Sequence, residues 1–144
     1  GKGKTNLITV NGLAVLKGTK AKSVQVNGSL RAYNATITTF TVNGLAELQK
    51  TRVAGAANIN GMINAQNSSF QGLIRMITNN AKFENCHTKN IYVAKSKMKP
   101  QELHFANSNI QGDIKFAGDG GEVYLCKSSA ITGKVIGGKV IESC

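Results

Sequence analysis

The triplet Val-Asn-Gly occurs at Val10, Val26 and Val42, and Ile59-Asn60-Gly61 follows as a fourth copy, at intervals of 16, 16 and 17 residues. A fixed period constrains architecture more tightly than any local propensity, because repeated units that stack must share one backbone path. Asn-Gly is also the strongest short hairpin signal. Two readings therefore compete: several tight turns of an antiparallel meander, or one corner recurring in successive coils of a solenoid.

The residues around the triplet decide between them. In the same register, one apolar column reads Ala14, Leu30, Ala46, Ile63 and Ala81, and the next reads Leu16, Ala32, Leu48, Ala65 and Phe83. Large and small side chains alternate between the two, so each layer holds a similar volume, as a filled interior requires. A hairpin gives no reason for residues one full unit apart to match, whereas stacked parallel coils place them about 4.8 Å apart. A polar column follows at Gly18, Asn34, Lys50, Asn67, Asn85, Asn107 and Lys127, then apolar ones at Ala21, Ile37, Val53, Phe70, Thr88 and Ile110, and at Val24, Phe40, Ala56, Leu73 and Ile91. Ile77 and Val93 continue the column headed by Val10. Steps of two mark strands, and steps of three mark corners that restore inward facing.

The register loosens after Val93, where residues 94–102 (AKSKMKPQE) and 117–122 (AGDGGE) read as outward loops. The expectation is an all-β, single-domain parallel β-helix, a solenoid of about seven short coils of 16–18 residues over 1–144, with a flexible basic tail at 1–4. Such a rod would be roughly 35 Å long. Its two ends would expose unpaired strand groups that invite another chain.

The repeat Val-x-Val-Asn-Gly-x-Leu-x-Ala-x-Asn-x-x-Ile, read from Val24 to Ile37 and echoed over about Thr9 to Phe70, resembles the bactofilin-like, polymer-forming β-helix proteins of bacteria. The resemblance implies a right-handed helix, like-to-like polymerisation through the ends, and a scaffolding role at the envelope without nucleotide. Three features depart from that pattern: the cysteines, a net charge of +11, and the two loops after Val93. They favour a periplasmic, cell-surface or secreted relative that shares the coil.

The charge itself points to polyanionic neighbours, since no acidic residue precedes Glu47. No apolar run approaches the roughly 18 residues of a membrane span, so no transmembrane segment is expected. Cys86, Cys126 and Cys144 match neither zinc nor redox spacing. Cys126 and Cys144 lie about one coil apart and could staple the C-terminal end as a disulfide, leaving Cys86 as a partly buried thiol.

Catalysis is not expected, and neither is a cofactor or metal. His87 and His104 fall in different columns, no line of carboxylates accompanies them, and the Asp113, Asp119 and Glu122 group around the Gly-rich loop reads as a turn rather than a calcium site. Asn34-Ala35-Thr36 and Asn67-Ser68-Ser69 match glycosylation acceptors, yet both asparagines double as corner residues. The specific surface is a pair of outward columns, Lys20, Thr36, Arg52, Ser69, His87, Asn109, Ser129 and Lys22, Thr38, Ala54, Gln71, Lys89, Gln111, without a carboxylate. Lys20, Lys22, Arg52, His87 and Lys89 would there meet an acidic polysaccharide or lipopolysaccharide. Nucleic acid is disfavoured because no tyrosine lines these columns. The functional expectation is thus a non-catalytic structural or assembly solenoid of the bacterial envelope or exterior, with acidic-glycan binding as the alternative and a small carbohydrate-active enzyme last.

Overall fold

The computed structural model describes residues 3–78, 80–95, 101–118, 120–126 and 128–142, with the backbone alone at 3–6. Every strand pairing is parallel, and the strands stack into a single solenoid of about eight turns. The first three turns are nearly continuous strands: β1 (Gly3–Lys17), β2 (Thr19–Tyr33) and β3 (Thr36–Gln49). The fourth divides into β4 (Arg52–Val53) and β5 (Ala57–Gln66), and from the fifth onward each turn has three strands. These are β6 (Ser69–Phe70), β7 (Ile74–Ile77) and β8 (Asn80–Glu84); β9 (His87–Thr88), β10 (Ile91–Val93) and β11 (Gln101–Ala106). Then come β12 (Asn109–Ile110), β13 (Ile114–Phe116) and β14 (Gly121–Cys126); and β15 (Ala130–Ile131), β16 (Val135–Ile136) and β17 (Gly138–Glu142).

The expected register holds over the first three turns, where Val10 pairs with Val26 and Val26 with Val42. Later turns correct it at three places, each a one-residue slip at a corner. Phe40 stacks on Ala57 and then Ile74, not on Ala56 and Leu73, because the corner after Val53 holds one residue more than the corner after Ile37. Ile74 is accordingly buried and Leu73 is 38% exposed. Met76, not Ile77, continues the column of Val10. Asn109 pairs with Ala130 rather than Ser129, since three residues separate Cys126 from Ala130 where two separate Ala106 from Asn109.

The turn count exceeds the expected seven because the C-terminal segment forms a coil of its own, β17 lying in register on β14. β1 already begins at Gly3, inside the segment expected as a tail, and β11 begins at Gln101, inside the expected loop 94–102. Gln101 explains that boundary. Its buried amide donates to the carbonyls of Thr78 at 3.0 Å and Ala94 at 2.8 Å, tying the strand start to the turn before. Residues 96–100 and 119 lie outside the described residues.

Three corners give a triangular cross-section, each with its own chemistry. At the first, Gly28, Gly44 and Gly61 hold φ of 130, 134 and 139°, and a Cβ on any of them would run into the carbonyl oxygen of the glycine one turn earlier. The neighbouring asparagines form a ladder, Asn27 donating to Asn11 at 3.0 Å and Asn43 to Asn27 at 2.9 Å. The second corner is left-handed, with φ of 53° at Asn34, 49° at Lys50, 51° at Asn67, 53° at Asn85 and 50° at Asn107. Directly after it runs a buried column that matching apolar residues did not reveal: Thr19, Ala35, Thr51, Ser68, Cys86 and Ser108. Its hydroxyls donate to carbonyls two residues back and accept amides from the previous turn, as Ser108 Oγ does to Ala106 (2.9 Å) and from Cys86 N (3.1 Å). Cys86 is the one thiol in this ladder, and burial pushes its pKa up to about 11. At the third corner Asn90 Oδ1 accepts from the Asp113 amide (2.9 Å) and Asp113 Oδ1 from the Lys134 amide (2.8 Å).

The core is one continuous cluster, narrow at first and filled by aromatics further along, where Phe83 stacks on Phe105 at 5.0 Å and meets Phe70 edge-on at 5.9 Å. Burying each such side chain contributes roughly 1.5–3 kcal/mol before entropy is charged against it.

Candidate functional site

A solenoid this narrow places its chemistry on its faces, and three are distinguishable. Face A is formed by the starts of β2 and β3 and by β4, β6, β9, β12 and β15. Register puts Lys20, Thr36, Arg52, Ser69, His87, Asn109 and Ala130 in one outward column. Lys22, Thr38, Ala54, Gln71, Lys89 and Gln111 flank it, so the five predicted residues Lys20, Lys22, Arg52, His87 and Lys89 share one face and all are exposed. With its amide oxygen turned toward Arg52, Gln71 accepts from Nε at 3.2 Å and Nη2 at 2.8 Å, which fixes the guanidinium on the sheet. A shallow depression of about 330 Å³ opens between Ser69, His87, Lys89, Gln71 and Gln111.

Face C, built from the ends of β1 to β3 and from β5, β8, β11, β14 and β17, has the opposite character. All five glutamates of the chain, Glu47, Glu84, Glu102, Glu122 and Glu142, lie on its strands. Glu102 and Glu122 stand side by side in register, contrary to the expectation of no carboxylate line near a histidine. Glu102 Oε1 lies 3.0 Å from His104 Nε2, and Glu122 Oε1 accepts from the Tyr124 hydroxyl at 2.8 Å, a bond that holds the phenol above its ordinary pKa. The His104 and Tyr124 rings stack at 4.6 Å. Both carboxylates are therefore turned toward their own ring partners. Arg31 and Glu47 add an ion pair at 3.8 Å.

His87 and His104 sit on different faces, as their columns implied. Glu122 lies on face C while Asp113 belongs to the third corner, and Asp119, the remaining member of the group read as a turn, lies outside the described residues. Among the described residues no group of three or more His, Cys, Asp or Glu could hold a metal ion. Cys144 also lies outside the described residues.

Face B, formed by the middle of β1 to β3, the start of β5, and β7, β10, β13 and β16, was not singled out by its composition. Its outward column reads Thr9, Gln25, Thr41, Asn58, Arg75, Tyr92, Lys115 and Ile136. Faces A and B thus adjoin without a glutamate, and among the described residues the one carboxylate near them is Asp113 at their shared corner. The basic excess is concentrated on two sides of the rod. No described helix is long and apolar enough to cross a membrane. Comparison with known proteins finds no family model, no curated protein and no solved structure that matches this chain.

Proposed function

We propose that the protein is a non-catalytic structural solenoid of the bacterial cell envelope or exterior, a rod that assembles through its ends. The observation that carries this reading is the outer edge of β1. It runs for 15 residues, pairs among the described residues only with β2, and bears Leu7, Leu13 and Val15 at 63%, 56% and 43% exposure. In the next turn the same outward positions hold Ser23, Ser29 and Arg31, and Thr39 and Glu47 keep two of them polar in the third, while the position of Leu13 is apolar again at Leu45 and Met62. An unblunted edge with an apolar collar is what strand addition by another chain requires. The shared coil pattern with bactofilin-like proteins supports the same role.

The test is sedimentation velocity across a hundredfold concentration range. Association that Leu7→Lys and Leu13→Lys abolish is expected, and a monomer at every concentration would refute assembly. The second reading, an acidic-glycan or lipopolysaccharide binder, is favoured by the carboxylate-free columns of face A. It predicts salt-sensitive retention on heparin that falls with Lys20→Glu and Arg52→Glu. Both readings place the protein in the periplasm or outside the cell, where a Cys126–Cys144 staple would persist.

A further inference from the structure

We propose that face B carries a binding site for one carboxylated sugar unit of a polysaccharide, in the trough beside Arg75 and Tyr92. The two residues stand in adjacent turns of one column, with Lys115 one turn further on. Arg75 Cζ lies 5.9 Å from the centre of the Tyr92 ring. A cation–π contact of this length restrains a guanidinium beside the ring, and its N–H groups can still fork onto a carboxylate. The ion pairs among the described residues are Arg31–Glu47 and His104–Glu102, so no described carboxylate occupies Arg75.

The trough has the size and lining of a single sugar subsite. It encloses about 250 Å³, with Thr41, Asn58 and Asn60 on one side, Met76 beneath, and Ile77, Tyr92 and Ala94 around the other. Ile77 is 44% exposed, and it takes the register position of Asn60, which in the turns before is Asn11, Asn27 and Asn43. An apolar residue therefore replaces a ladder asparagine where the trough opens. Apolar walls with a few convergent polar groups are the ordinary composition of a small-ligand site. A pyranose would lay its C–H face on Ile77 and Ala94, turn hydroxyls to the amides of Asn58 and Asn60, and direct its acid group to Arg75. A second hollow of about 290 Å³, between Leu73, Asn90, Asp113 and Lys115, lies across the Arg75–Tyr92 ridge and gives a polymer a continuing path. A single-stranded nucleic acid fits less well, because Tyr92 offers one platform where such ligands stack successive bases.

This site is independent of assembly through the ends. Calorimetric titration of the intact protein with tetragalacturonate, cellotetraose and an oligothymidylate tests it. Expected are binding of the acidic tetrasaccharide alone, weakening with salt, and a loss of affinity of tenfold or more in Arg75→Gln. Ile77→Asn, which restores the residue of the earlier turns, should weaken binding severalfold with the fold intact by circular dichroism, and Lys82→Glu, which removes an exposed charge of face C, should bind as well as the parent. No binding of the acidic tetrasaccharide, unchanged affinity in Arg75→Gln, an equal loss in Lys82→Glu, or tighter binding of the oligothymidylate would each overturn the proposal.

Discussion

Substituting alanine at two equivalent glycines separates what a corner costs from what stacking adds. Gly12 and Gly44 occupy the same corner, with φ of 119 and 134°, so alanine is strained at both. At Gly12 an added Cβ meets nothing within 4 Å, whereas at Gly44 it meets the carbonyl oxygen of Gly28. Backbone strain of this kind costs about 1–3 kcal/mol. Forcing a methyl against a main-chain oxygen that is itself held in a parallel ladder adds about 1–3 kcal/mol. Gly12→Ala should therefore lower stability by about 2 kcal/mol and Gly44→Ala by about 4 kcal/mol, near 6 and 12 °C in Tm for a chain of this length. The left-handed corner six residues after Gly44 predicts the opposite sign. Lys50 holds φ of 49° without the freedom of glycine or asparagine. Lys50→Gly relieves about 1–2 kcal/mol of strain, offset by about 0.5–1 kcal/mol of lost chain entropy, a net gain of about 0.5–1 kcal/mol. Thermal unfolding followed by far-ultraviolet circular dichroism reads all three. If Gly12→Ala and Gly44→Ala melt within a degree of one another, stacking of corner on corner is not what makes Gly44 obligatory.

Other consequences follow from the same geometry. Because the Cys86 thiol is raised to about 11 in the folded protein from an ordinary 9.0, the unfolded chain loses its proton first. Stability from this group is complete below pH 9 and is lost as pH rises toward 11, by up to about 2–3 kcal/mol. Cys86→Ser should flatten that alkaline slope in urea titrations at a series of pH values while changing neutral stability by less than about 1 kcal/mol, since serine and threonine already fill its column. Peptide mapping without reduction should recover Cys126 joined to Cys144 and Cys86 as the sole alkylatable thiol after denaturation; a Cys86-containing disulfide would overturn the staple. Leu48→Ala, at a fully buried site, should cost about 2–5 kcal/mol by chemical denaturation.

Much of the fold was legible because inward columns obey a simple rule: a slot one turn up must be filled with an apolar group of complementary size. Ala14 over Leu30 over Ala46 announces itself. Polar inward columns do not, and Thr19, Thr51, Ser68 and Ser108 were passed over because their burial is licensed by hydrogen bonds to backbone that exist only once the corner has formed. Register failed wherever a corner took in one more residue, since an insertion leaves composition unchanged while moving Ile77 outward and Met76 inward. Face A was found up to its last turn, where Ala130 replaces Ser129, because the earlier residues lie at a constant offset from the left-handed corner. Face B was missed for the converse reason: Arg75, Tyr92 and Lys115 are separated by 17 and 23 residues, and only the paired strands bring them into one column. The segregation of all five glutamates to face C is likewise invisible in a net charge.

The first and last described turns differ in a way that bears on what assembly through them can build. β1 offers one unbroken edge, while the last turn offers β15, β16 and β17 in pieces of 2, 2 and 5 residues. Glu142 moreover takes the register position of Leu125, Phe105 and Phe83, so the last described turn carries a carboxylate in a column that is otherwise apolar. Short strands and a charge at an inward position are the ordinary means of blunting an edge. Pairing of β1 with the last turn of a second copy would continue every column and propagate without limit. Pairing of β1 with β1 is isologous and closes at two. The asymmetry favours the second, so the associated species should be a dimer by sedimentation, with a frictional ratio rising as two rods join end to end. Glu142→Leu should extend the apolar column to the blunt end and convert dimers into longer polymers visible by negative-stain electron microscopy. Filaments from the parent protein, or a Glu142→Leu variant that stops at two, would show that the carboxylate does not set the limit.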